Sequence, residues 1–292
     1  LARQIANGYV ENVYRLQVVN STEQPRRYRV AVEGLRDVTI ATDRELDVGP
    51  NAIGTLTVRA TLSARHAQAL TTGAQPAPGT RDGLLFYVRD LDAGTCWRLG
   101  NPAGGSRVAG STYENGAVRL DHRQDEIEAS LTTCVVPGQR AELRRLVLAN
   151  RSSRTRRLDV TSLAELVLNE PAAHAAHPGF SKLFIQTEAE PALGAILARR
   201  RQRSPQESWP VLVHVLAGEG PLQWETDRLQ WRGRGRHRDE PAALAPGAIL
   251  GGNTGNVLDP VASLRRGCTL APDATATFTF LLGVGDDRTS AL

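Results

Sequence analysis

A chain of 292 residues with 41% hydrophobic and 23% charged residues is long enough to bury a large core, and that composition excludes wholesale disorder. No apolar run approaches the ~18–20 residues of a membrane-spanning helix, and the opening LARQIANGYVENVY lacks the charged-then-apolar layout of a secretory signal. The formal charge of +4 comes from 34 Arg and a single Lys, Lys182, scattered among 31 acidic residues with no aromatic-interleaved basic face, which argues against nucleic acid as a partner.

The N-terminal 60 residues read as a set of short strands. Tyr14–Val19 and Tyr28–Val32 alternate apolar and polar residues around the turn Asn20-Ser-Thr-Glu-Gln-Pro25, and Val38–Ile40 and Ile53–Val58 follow. Alternation in each strand predicts one wet face and an antiparallel sandwich. Residues 61–82 are rich in Ala, Thr, Gly and Pro and read as a linker with one short helix around Ala64–Leu70. From Gly83 onward strands follow at Leu84–Arg89, Thr95–Arg98, Gly116–Leu120, Ile127–Val136, Leu143–Ala149, Arg157–Val167, Ala195–Ala198, Val211–Leu216, Leu222–Thr226 and Thr275–Val284. Helical periodicity never exceeds two turns, so the chain is expected to be all-β. The turns at Asn20 and Asn150 share a pattern: Asn-x-Ser/Thr, then Arg-Arg, then alternating apolars.

Several stretches carry family resemblances. Glu142–Asn150, Arg156–Ser162, Ala176–Phe184, Arg199–Ser204, Glu225–Arg228, Gly233–Arg236 and Gly255–Pro260 occur in the order found in the β-supersandwich domain of glycoside phosphorylases related to cyclic β-1,2-glucan synthetase and cellobiose phosphorylase. Residues 83–292 resemble that domain. Asn12–Asn20 and Tyr28–Leu35 resemble the Ig-like C-terminal domain of FixG/CcoG-type proteins. Together they imply an all-β protein: an Ig-like β module over 1–60, a linker over 61–82, and a large antiparallel, galactose-mutarotase-like supersandwich over 83–292. The resemblance further implies a carbohydrate-associated accessory domain of a bacterial enzyme. That enzyme would lie in the cytoplasm or at the cytoplasmic face of the inner membrane, with its catalytic (α/α) barrel not represented in this sequence. The chain contains no methionine, which fits a piece of something longer.

Candidate chemistry is sparse. His174-Ala-Ala-His177 has metal-like spacing, but no Asp, Glu or Cys completes a set, so packing imidazoles are expected and no metal. Glu225 and Asp227 alternate onto one strand face as a glycosidase carboxylate pair would; ion pairing with Arg228, Arg232 or Arg234 is the competing reading. Arg199-Arg-Arg-Gln-Arg203 offers guanidinium forks for sugar hydroxyls or anions, or is a solvated strand end. Trp209, Trp224 and Trp231 are sugar platforms or core. Cys96, Cys134 and Cys268 have no CxxC spacing and read as small buried thiols.

The expected substrate-contacting residues are therefore His177, Phe180, Lys182, Arg199, Arg200, Arg203, Asp227, Arg228 and Arg234, with no catalytic residue and no cofactor. The expected partners are a β-linked gluco-oligosaccharide or glucan, the catalytic barrel, and a second copy of the chain. Two alternatives stand beside this reading: a mutarotase-type enzyme using His177 or His214 with Glu165 or Glu225, and a structural Ig-like module of an oxidase-assembly protein.

Overall fold

The computed structural model describes residues 2–5, 9–30, 38–40, 42, 44–63, 69–71, 84–99, 107–114, 116–204, 207–236 and 240–292. They form two compact units, Leu1–Gln68 and Ala69–Leu292.

In the first unit, β1 (Ala2–Ile5), β2 (Tyr9–Asn20), β4 (Val38–Ile40) and β6 (Ala52–Ser63) make one antiparallel sheet in the order β1-β2-β6-β4. A second sheet pairs β3 (Arg26–Arg29) with β5 (Glu45–Val48). Gly54 is small by necessity: a Cβ there would sit 2.7 Å from Val48 Cγ2 and 2.9 Å from Leu46 Cδ2, where β5 packs against β6.

The second unit is a sandwich of two larger antiparallel sheets. The first has eight strands, ordered β10 (Arg107–Glu114), β11 (Ala117–Gln124), β12 (Ile127–Val135), β13 (Ala141–Asn150), β20 (Thr275–Gly285), β17 (Val211–Ala217), β16 (Ala195–Arg200) and β15 (Ile185–Glu190). The second runs β18 (Leu222–Asp227), β19 (Pro260–Leu270), β14 (Arg156–Asn169), β8 (Leu84–Asp90) and β9 (Thr95–Arg98). In this second sheet β7 (Ala69–Thr71) takes over the edge of β14 at Leu166–Asn169, past the last β8 pair at Ala164. The expected linker over 61–82 thus begins inside β6, and Ala69–Leu70 lie in a strand where a short helix was expected; 64–68 and 72–83 fall outside the described residues. The physical reason is the length of β14, whose backbone needs hydrogen-bond partners beyond the end of β8.

Burial on both faces of β14 organises this unit. Leu158, Val160, Ala164, Leu166 and Leu168 point into one core with Leu146 and Leu148 of β13, Leu212 and Leu216 of β17, and Phe278 and Phe280 of β20. Each buried Leu, Val or Phe among them contributes roughly 1.5–3 kcal/mol. On the opposite face, Leu163 with Tyr87 and Val261 is covered by Trp231, Ala243, Leu244 and Leu250. These come from a flap that holds α3 (Arg228–Arg232) and a 3₁₀ turn at Ala242–Leu244. Two guanidinium groups pin the flap. Arg89 binds Asp159 and donates to the carbonyls of Ala245 and Ala248. Arg265 donates to Thr161 Oγ1 and to the carbonyls of Ala243 and Ala248. Arg156 is paired with Asp90 in the same sheet, both almost wholly enclosed.

The two Asn turns are the same device in both units. Asn150 Nδ2 donates to the carbonyls of Arg154, Leu270 and Ala271, while its Oδ1 accepts from Ser152 N and Ser152 Oγ. Asn20 Nδ2 donates to Gln24, Val48 and Gly49, and its Oδ1 accepts from Thr22 N and Oγ1. In each case the chain crosses from one sheet to the other, beside a second crossing that carries a residue with positive φ, Asn51 or Asp273. Both asparagines are fully buried.

Other expectations change. The Ala/His stretch around His174 and His177 forms two short helices, α1 (Pro171–Ala176) and α2 (Pro178–Lys182), each with Pro in its first turn, where no helix was expected. Cys96 is exposed and Cys134 and Cys268 are half-buried, where buried thiols were expected; all three are unpaired. Among the described residues no helix is long and apolar enough to cross a membrane.

Replacing Asn150 with Ala strips three carbonyls and two donors of partners and should lower stability by about 3 kcal/mol or more, measured by urea denaturation. Asn150→Asp should be no milder, because its carboxylate faces three carbonyl oxygens. A loss under about 1 kcal/mol would deny the turn its structural role.

His214 generates a second expectation. It is enclosed between the sheets, with Nε2 2.7 Å from Ser162 Oγ and Nδ1 3.1 Å from Leu281 O. Burial, opposed by the bond to Leu281 and aided by the nearby Arg144 charge, holds its pKa down to about 4 from 6.5. The ring is therefore neutral, Nδ1–H donating to Leu281 and Nε2 accepting from Ser162. The unfolded chain takes up the proton first as pH falls, so stability is present above 6.5 and declines between 6.5 and about 4, by about 1.4 kcal/mol per pH unit. Denaturation midpoints at pH 7 and 5 should differ less for His214→Gln than for the natural chain.

Candidate functional site

A groove of ≈700 Å³ lies on the outer face of the eight-stranded sheet at its β15 edge. Antiparallel register sets the lining. Gln186 stands opposite Arg199, and Glu188 opposite Leu197; across the next ladder Arg199 meets Val211 and Leu197 meets Val213. Leu197 and Val211 supply an apolar floor, with Ala195 and Val213 packed beside them and Ala291 of α4 (Arg288–Ala291) against them. Polar walls come from Gln186, Arg199, Gln202, Trp209 and the Asp286–Arg288 turn. An apolar floor under a few convergent polar groups is the usual form of a small-ligand site.

The charges around this groove divide into answered and unanswered. Arg288 donates to Glu188 Oε1 at 2.6 Å and Glu190 Oε2 at 3.1 Å. Asp286 receives Arg140, and Asp287 caps α4 through Ser290 N. Arg203 clasps Glu207 at 2.7–2.9 Å, a bond that draws the Glu207 pKa down to about 2. Arg199 is exposed and forms no ion pair among the described residues. Arg200 is only 6% exposed, held between the rings of Phe184 at 5.1 Å and Trp209 at 5.3 Å. Its NH1 donates to Ser181 O.

A second cluster sits where α2 meets β19. Lys182 Nζ lies 2.6 Å from Asp259 Oδ1, Arg228 NH1 2.9 Å from Asp259 Oδ2, and Arg228 NH2 3.1 Å from Glu165 Oε1. Burial opposes ionisation of Asp259, but the bonds from Lys182 and Arg228 outweigh it and keep its pKa below the ordinary value.

The structure thus brings together Arg199 and Arg200 in the groove, and Lys182 with Arg228 in a structural ion network. Arg203 is committed to Glu207 at the strand end. His177 is exposed between α1 and α2, and Phe180 is 64% exposed, edge-on to Phe184 at 5.2 Å. Arg234 is exposed on the flap, on an element apart from the groove lining. Asp227 caps α3 by accepting from Leu229 N.

Glu225 and Asp227 satisfy neither reading, a carboxylate pair or ion pairs with the neighbouring arginines. A register shift falls between Glu225 and Asp227, and buried Glu225 accepts from Thr226 N, Asp227 N, Gly251 N and Asn253 Nδ2. It accepts from N–H groups of Gly251 and Asn253, and neither carboxylate pairs with Arg228, Arg232 or Arg234 among the described contacts. Trp231 is core, donating to Ser263 Oγ, and Trp224 donates to Gly252 O. His214 and Glu165, the mutarotase candidates, are locked into the core and into the Arg228 pair. Among the described residues no cluster of three metal-type ligands forms. Gln186 escaped sequence reasoning, and only cross-strand register places it at the groove; Arg201, inside the arginine run but outside the expected contacts, lines it too.

A family described as glycosyl hydrolase 94, supersandwich domain, matches residues 60–292. The chain belongs to that family. The match begins at 60, ahead of the Gly83 start expected from the motifs. Residues 1–76 match the Ig-like fold at the C-terminus of FixG, described as a putative oxidoreductase. The cyclic beta-(1,2)-glucan synthase NdvB of Rhizobium meliloti (strain 1021) is 32% identical over 208 residues, 69% of this supersandwich-bearing chain and 7% of the relative. Solved structures with likeness include a polysaccharide lyase, 15% identical over 76% of this chain and 29% of its own, TM-score 0.44. A bacterial glucoamylase complexed with acarbose is 7% identical over 96% and 36%, TM-score 0.42. A Klebsiella pneumoniae protein assigned as an aldose 1-epimerase is 8% identical over 96% and 93%, TM-score 0.35.

Asp259→Asn would leave the ammonium of Lys182, whose side chain is 8% exposed, without a carboxylate. A loss of about 2–3 kcal/mol in urea denaturation is expected, below the value for a fully enclosed pair because Asp259 is partly open to solvent. An unchanged midpoint would show that the network contributes nothing to stability.

Proposed function

We propose that this chain is the carbohydrate-facing accessory part of a larger β-1,2-glucan synthase or glycoside phosphorylase-type protein, with the groove over β15–β17 holding a β-linked glucan segment. One observation carries the reading: the 32% identity to a cyclic β-(1,2)-glucan synthase extends over 208 residues and 69% of this chain. In this reading an Ig-like module precedes the supersandwich, whose second sheet already includes β7 (Ala69–Thr71), and a catalytic barrel elsewhere in the parent protein completes the active site. Trp209, Gln186 and Arg199 supply the ring face, amide and guanidinium that a sugar chain uses. The chain is non-catalytic by itself. The groove carboxylates Glu188, Asp286 and Asp287 are engaged by Arg288, Arg140 and the α4 cap, so none stands ready as a general acid. Holding a glucan equally well in ground and transition states does not accelerate its cleavage.

Tryptophan fluorescence titration with β-1,2-gluco-oligosaccharides should show saturable binding that Arg199→Ser weakens about five- to tenfold. The thermal midpoint should hardly move, since an exposed, unpaired side chain contributes within about 0.5 kcal/mol. The natural chain should release no glucose 1-phosphate from sophorose and inorganic phosphate. Absence of glucan binding would remove the groove assignment, and phosphate-dependent release of glucose 1-phosphate would overturn the accessory role.

A further inference from the structure

Among the described residues three other arginines are enclosed as deeply as Arg200, and each meets a carboxylate. Arg156 is paired with Asp90, Arg89 with Asp159, and Arg265 lies 3.8 Å from Asp159. Arg200, 6% exposed, has no carboxylate partner among the described residues. Its NH1 is committed to Ser181 O at 2.7 Å, and its buried Nε has no hydrogen-bond partner. The remaining edge of the guanidinium, Nε with NH2, is the side-on fork that matches two oxygens of one anion.

The surroundings prepare that edge. Phe184 and Trp209 fix the plane of the Arg200 guanidinium from both rings, and Phe184 also carries Arg201 at 5.6 Å from its centroid. Two cations therefore share one ring with no acid between them. Burial, and then the charge of Arg203, depress the Arg200 pKa, and the charge of Glu207 opposes them only in part. Leaving a buried charged donor unmatched is costly, and Glu207, the acid whose charge reaches Arg200, is already bound by Arg203.

We propose that Arg200 and Arg201, with Arg199 at the rim, form an oxyanion subsite at the end of the groove that takes a phosphate or carboxylate group. This stands apart from the glucan reading, since it rests on the arginines alone. A neutral β-1,2-glucan offers no such group, so the subsite points to an anionic ligand or an anionic substituent on a sugar.

Calorimetric titration of the full chain with sodium phosphate and, separately, sodium glucuronate, at ionic strength fixed with chloride, tests it. Saturable binding of either anion is expected, and which of the two binds assigns the phosphate or the carboxylate. Arg201→Ser, an exposed position, should weaken binding about tenfold or more, and Arg200→Lys, which keeps charge but loses the fork, should do the same. If Arg200→Lys fails to fold, Arg201→Ser still decides. No binding of either anion, or affinity indifferent to Arg201→Ser, overturns the subsite. Anion binding without neutral-glucan binding supports this subsite while removing the glucan groove; glucan binding without anion binding does the reverse.

Discussion

Removing a guanidinium group from water costs several kcal/mol unless hydrogen bonds and an opposite charge replace the lost hydration. Among its described residues this protein buries four of them in its larger unit, and the way three are satisfied explains much of its architecture. Arg89 and Arg265 converge on Asp159 from neighbouring strands and spend their other N–H groups on carbonyls of the flap. The flap therefore cannot lift without leaving those groups unmatched. Its cover keeps the outer face of β14 dry, so a fourteen-residue strand can be buried on both sides. Arg156 with Asp90 fixes β8 to the start of β14 in the same way. Against that background the unmatched Arg200 is an exception that marks the groove, not a random surface cation.

How much of this was legible in the sequence depends on which faces are wet. The hairpins around Asn20 and Asn150, and strands such as β12 with its alternating burial, show period-two patterning because one face meets solvent. The all-β class and the two-part organisation followed from them and from the ordered family motifs. β19 escaped because both its faces are enclosed and Arg265-Arg266-Gly267-Cys268 interrupts its apolar run, the arginines answering groups distant in sequence. The candidate site was legible only as composition. The run Arg199–Arg203 drew attention, but sequence alone could not tell that Arg203 is clasped by Glu207, that Arg200 is enclosed, or that Gln186 lies opposite Arg199. Glu225 misled for the same reason. Its ladder slips by a residue, and its donors are the backbone N–H groups of Thr226, Asp227 and Gly251 with the Asn253 amide, a set that carries no sequence signature.

The matching corners at Asn20 and Asn150 deserve a physical explanation beyond family descent. At Asn20 and at Asn150 two crossings lie side by side, and several carbonyls at one point need partners that no ladder supplies. A single side-chain amide, with two donors and two acceptor lone pairs, serves such a point economically in both units. The two modules match different families, so the shared corner is chemistry that sandwiches reach repeatedly.

That corner also bears on how the protein can be made. Asn20-Ser-Thr22 and Asn150-Arg-Ser152 both spell the acceptor tripeptide for N-linked glycosylation. A eukaryotic secretory host modifies such sites on the nascent chain, before either corner closes. The amide nitrogens that would carry the glycan are fully buried and already bonded to three carbonyls each. A glycosylated chain could not complete its corners, whereas a bacterial cytosol leaves the amides free to do so. Intact mass and solubility of material from the two hosts would show the difference directly.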